Sequence, residues 1–85
     1  MQKITINSLY DDLAKETDVE LKETIKDIIE WTETQYKKGS EIYWDDDWKD
    51  YVAFKDSEFV DSYAGMVTQQ DYLYEELAKI MKGDK

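Results

Sequence analysis

Any fold of this chain must accommodate twenty-one carboxylates against eleven lysines, a formal net charge of −10 over 85 residues. Self-repulsion on that scale works against a compact state. No cysteine is present to form a disulfide or a thiolate–metal brace, so burial of apolar surface has to overcome the repulsion unaided. The material for that burial is present. Apolar residues make up 41% of the chain and twelve residues are aromatic, far more than an acidic disordered tail carries. A single acidic domain over residues 1–85 is expected, with one modest core and little room for a deep cleft.

The same residue inventory removes several function classes. Histidine is absent, and with it the commonest general base and transition-metal ligand. No glycine-rich phosphate loop occurs. Ser57 and Ser62 read as a helix cap and a helix surface position, not as nucleophiles. Twenty-one acids make chance carboxylate pairs inevitable, so such pairs carry no catalytic information. The cluster Asp45-Asp46-Asp47 with Asp50 invites a calcium reading. Counted from Asp45, however, the fifth position is Lys49, the sixth is Asp50 where an EF-hand needs glycine, and the twelfth is Asp56 where it needs glutamate. No enzyme activity, metal site or cofactor is expected. No apolar run approaches the roughly 20 residues that span a bilayer. Met1–Ile6 lacks the apolar core of a signal peptide, so an intracellular location is expected. Phosphate repels this surface, so neither direct nucleic acid binding nor membrane binding is expected. A basic protein surface is the partner that remains.

The pattern predicts a mainly α fold of three to four helices. The clearest helix runs from Asp18 to Lys38. Thr17 and Glu20 form a capping box, Leu21, Ile25, Ile28, Thr32 and Tyr36 recur on one face, and Gly39 follows. Glu20, Glu23, Asp27 and Glu30 lie on the opposite face. A second helix spans Gln69 to Lys82, capped by Thr68 and followed by Gly83, with Leu73, Leu77, Ile80 and Met81 inward. Shorter helices are expected from Leu9 to Lys15, capped by Ser8, and from Glu58 to Ala64, started by Ser57 and stopped by Gly65. Residues 41–54 admit two readings. Glu41–Trp44 and Tyr51–Phe54 could pair as a short hairpin around Asp45–Asp47; alternatively Asp46–Phe54 forms a helix with Trp48, Tyr51 and Val52 inward. The helical reading is preferred.

Charge is distributed unevenly along the chain. Residues 1–40 carry a net −3, residues 41–76 a net −9 and residues 77–85 a net +2. The most acidic stretch also holds Trp44, Trp48, Tyr51, Phe54, Phe59 and Tyr63. Carboxylates three or four residues apart on a helix stand about 5–6 Å from one another at Cβ. Duplex DNA carries one charge per about 1.7 Å of axis, counting both strands. A helix surface of that kind therefore has a charge spacing of similar order to a phosphate row. Asp45, Asp46, Asp47, Asp50, Asp56, Glu58, Asp61, Asp71 and Glu75 are the candidate phosphate surrogates. Trp44, Trp48 and Tyr63 are the candidate apolar anchors.

The run Phe59-Val60-Asp61-Ser62-Tyr63-Ala64-Gly65, followed by Asp71-Tyr72 and Glu75-Glu76-Leu77, resembles the C-terminal part of some ArdA-type antirestriction proteins. The resemblance implies a small acidic inhibitor that imitates DNA and occupies the basic DNA-binding cleft of a host-defence nuclease. Small anti-CRISPR proteins share this profile of size, acidity and missing catalytic residues. Both a restriction enzyme and a CRISPR effector fit as the target. The alternative is a structural adaptor, or an antitoxin, that binds a basic partner through an acidic and aromatic face.

Overall fold

The computed structural model describes residues 1–82. Its elements run β1 (Gln2–Lys3), α1 (Ile6–Lys15), α2 (Val19–Lys37), β2 (Glu41–Asp45), β3 (Asp50–Lys55), β4 (Glu58–Ser62) and α3 (Asp71–Met81). The strands form one antiparallel sheet in the order β1-β2-β3-β4. This is an α+β fold, which corrects the expected mainly helical one.

Two of the expected helices are strands. Residues 50–55 are β3 and not part of a helix over Asp46–Phe54, and residues 58–62 are β4 and not the first turns of a helix over Glu58–Ala64. The physical reason for the first lies in Tyr51-Val52-Ala53-Phe54, opposed by Ile42-Tyr43-Trp44. β-branched and aromatic side chains fit a pleated surface, where they pack against cross-strand neighbours. The register pairs Ile42 with Ala53, Tyr43 with Val52 and Trp44 with Tyr51. Both faces of this ribbon are covered, so its sequence is nearly continuously apolar and shows no clean alternation. For β4 the deciding feature is the two-residue turn Asp56-Ser57. Both residues have positive φ, 52° and 67°, the backbone of a type I′ hairpin turn. A bulge opposite Ala53 and Phe54 then breaks the period of β4.

On one face of the sheet, Tyr43, Val52 and Phe54 meet Leu73 and Leu77 of α3. Phe54 lies at the middle of this layer, edge-on to Tyr43, Phe59 and Tyr74 at centroid distances of 5.7, 6.0 and 5.8 Å. On the other face, Leu9 of α1 and Ile28 and Ile29 of α2 form the core, with Tyr51 and Tyr63 packed against them. The α1–α2 pair is tied to the sheet edge where the Tyr36 hydroxyl donates to the Ile4 carbonyl at 2.8 Å.

The helix starts differ from expectation in detail. Thr5, not Ser8, caps α1, its Oγ1 accepting from the Ser8 amide at 3.3 Å. Asp18, not Thr17, caps α2, accepting from Glu20 at 2.9 Å and Leu21 at 3.2 Å. α3 starts at Asp71 with no side-chain cap, and Thr68 lies in the preceding loop. Gly39 ends α2 with φ 88°, a conformation that costs a residue with a Cβ about 1–2 kcal/mol. Gly83 lies outside the described residues. Leu21, expected on the buried stripe of α2, is exposed.

Candidate partner-binding surface

Asp45 and Asp50 are directly opposed in the β2–β3 register, where the strands enter their connecting loop. They are 2% and 1% exposed. Two carboxylates facing each other across a ladder repel, so burying both requires strong compensation. Asp50 receives it from three backbone amides: Tyr51 donates to Oδ1 at 2.8 Å, Ala64 donates to Oδ1 at 2.9 Å and Met66 donates to Oδ2 at 3.1 Å. Asp45 accepts from the Trp48 amide at 3.0 Å through Oδ2 and from the Tyr72 hydroxyl through Oδ1. The pair thus fastens the β2–β3 loop, the segment after β4 and the first turn of α3 to one end of the sheet. Neither carboxylate faces a partner, so both leave the set of phosphate surrogates that the sequence suggested.

The remaining candidates fall into groups. Asp46, Asp47 and Asp71 are exposed around the β2–β3 loop and the start of α3. Trp44 and Trp48, both half-buried, flank them. The Trp44 indole N–H donates to Asp46 Oδ1 at 2.9 Å, and its ring lies 4.8 Å from that of Tyr51. Trp48 packs on the edge of the core under α3. Glu75 is exposed one turn beyond Asp71. Asp56 and Glu58 stand at the opposite end of the sheet, about 17 Å away along β3 at the usual rise per residue. Asp61 points to the α2 side, where it accepts from Gln35 Nε2 at 3.4 Å. Among the described residues, none of Asp46, Asp47, Asp56, Glu58, Asp61, Asp71 and Glu75 forms an ion pair.

The two ends of the molecule differ in character. Lys37 and Lys38 close α2, the Lys55 side chain reaches over Gly39, and Lys79 and Lys82 close α3, all at the Asp56–Glu58 end. At the opposite end, Asp12 and Asp27 join the loop aspartates. Burial raises the titration of Tyr51 and of Tyr63; Asp12 adds to the first, and Asp27 and Asp50 add to the second. Asp46, Asp47 and Asp71 thus lie toward the loop end, which holds Lys49, whereas Asp56 and Glu58 share their end with five lysines.

Sequence reasoning passed over Asp27, Glu30 and Trp31 on α2. Trp31 is half-buried and meets Tyr63 edge-on at 5.8 Å. The available signal was Trp31 itself, an aromatic side chain displaced from the apolar stripe toward the acidic row.

The tyrosines make the fold alkali-sensitive. The Tyr72 hydroxyl is held well above the usual tyrosine range by burial, then by its bond to Asp45, with Asp47 adding. Tyr43 is pushed up from 10.0 to about 12 by burial and by its 2.8 Å hydrogen bond to Glu41. The unfolded chain releases these protons near pH 10 while the folded chain retains them. Their contribution is therefore complete below pH 10 and is lost as pH rises through the folded values. The melting temperature is expected to fall steeply above pH 10, with a shallower decline in Tyr72→Phe. Calorimetry, with tyrosinate absorbance to follow ionisation, checks this; equal slopes for the two proteins would contradict it.

No family model, curated protein or solved structure matches this chain.

Proposed function

We propose that this domain is an inhibitor of the phage or mobile-element type, which occupies the basic DNA-binding cleft of a host-defence nuclease as a DNA mimic. The observation that carries the reading is the group Asp46, Asp47 and Asp71, exposed and without ion pairs among the described residues, beside Trp44 and Trp48 at one end of the sheet. Carboxylates held without counter-charges raise the energy of the isolated protein. A cationic groove lowers it again, and complementary potentials speed the encounter. The aromatic rings next to them supply contact area of the kind that anchors interfaces. The similarity of residues 59–77 to ArdA-type proteins supports the same class of target.

Affinity capture from a defence-competent bacterial lysate tests the proposal. Recovery of a restriction enzyme or CRISPR effector that duplex DNA displaces is the expected result. Capture of a partner that DNA leaves in place would overturn the mimicry and favour an adaptor.

A further inference from the structure

A groove of about 470 Å³ runs beside α2, lined by Asp27, Glu30, Trp31, Thr34 and Tyr63. Its walls are two aromatic rings set at 73° to each other, and its rim is two carboxylates. Asp27 and Glu30 are three residues apart on one helix, which places their Cβ atoms about 5–6 Å from one another. Among the described residues, no lysine lines the groove. The neighbouring Lys26 is turned to Glu23, at 3.4 Å. Trp31 is not needed by the core of the α1–α2 face, which is built from Leu9, Ile28 and Ile29. Tyr63 packs against that core, so Trp31 is the aromatic wall, with Asp27 and Glu30 beside it, that is left for an external group.

We infer that this groove receives an arginine side chain from the cationic partner. The inference rests on the proposed function for the nature of the partner and adds a second contact surface on α2, away from the β2–β3 loop. Arginine fits better than lysine for two reasons. Its planar guanidinium stacks on aromatic rings, and its fork of five donors can reach two carboxylates at once. An ammonium is a strongly hydrated point charge that gains less from a ring wall. The negative field of the groove is visible in Tyr63, whose titration burial raises first and Asp27 raises further.

NMR titration with acetylated tri-arginine amide, using tri-lysine as comparison, tests this through the indole N–H signals of Trp31, Trp44 and Trp48. Trp31 is expected to show the largest saturable shift, with tri-arginine the stronger ligand. The double variant Asp27→Asn/Glu30→Gln, altered only at exposed positions, should weaken that response at least about tenfold, since both carboxylates that face the guanidinium lose their charge. Equal responses to the two peptides would overturn the choice of arginine. A response confined to Trp44 and Trp48, lost in Asp46→Asn/Asp47→Asn but kept in the α2 variant, would overturn the groove while leaving the cationic-partner reading intact. Silence of all three indoles would overturn both.

Discussion

Asp50→Ala is expected to destabilise the protein by about 2–4 kcal/mol, because it leaves the amides of Tyr51, Ala64 and Met66 without their acceptor. Each orphaned, partly buried donor costs about 1–3 kcal/mol, and water at the loop recovers part of that. A domain of this size has a total stability of roughly 4–13 kcal/mol, so the loss consumes a large share of it. The melting temperature should drop by about 10–25 °C. Relief of repulsion from Asp45 works in the opposite direction but is smaller, since Asp45 keeps its own donors, Trp48 and Tyr72. Asp50→Asn should lie between, because one carboxamide oxygen can still accept two of the three bonds. Asp46→Ala, at an exposed position, should stay within about 0.5 kcal/mol of the parent. Urea unfolding separates these cases, and hydrogen exchange at Ala64 and Met66 should accelerate selectively in the Asp50 variants. A near-neutral Asp50→Ala would mean that the buried carboxylate does not organise this end of the sheet.

The contrast between Asp46 and Asp50 marks where the sequence stops being informative. Both stand in one acidic run, and nothing local distinguishes them. Their fates diverge because β3 has to alternate. With Val52 and Phe54 committed to the α3 face, Asp50 must follow them inward, and Asp45 opposes it in register. Only the strand assignment exposes that consequence, and the preferred helical reading of 46–54 hid it. The helices α1, α2 and α3 were legible because each turns one apolar stripe to the sheet, a period-3.6 signal that survives without tertiary information. Their caps were less so: Thr17 and Asp18 are adjacent and chemically equivalent as caps, and the choice between them rests on backbone geometry. Strand β4 was illegible for a different reason. Asp56-Ser57 makes a type I′ turn without the usual glycine, while Ser57 ahead of Glu58 and Gly65 behind Ala64 imitate the start and stop of a helix. Of the candidate site, the aspartates of the β2–β3 loop could be named from charge alone. The groove beside Trp31 could not, because it joins α2 to Tyr63, thirty-two positions further along the chain.

If the proposed nuclease is the partner, neutralising Asp46, Asp47 and Asp71 together with asparagine is expected to weaken its capture about 100-fold, taking roughly 1 kcal/mol for each charge that faces a cationic groove. The same number of changes at Glu20, Glu23 and Asp56 should cost much less, since Glu23 already has Lys26 at 3.4 Å and Asp56 lies at the lysine-rich end. Salt provides the second axis. The screening length falls from about 10 Å at 0.1 M to about 3 Å at 1 M, so contacts made by exposed carboxylates fade over that range. The parent should lose affinity steeply with added salt and the triple variant should follow a shallower line. The two lines should converge at high salt, where only aromatic and hydrogen-bonded contacts persist. Charges at the rim of an interface act mainly on the encounter, so the difference should be largest in the association rate. Equal losses in the two triple variants, or parallel salt lines, would mean that the charge serves solubility and that no localised acidic surface engages the partner.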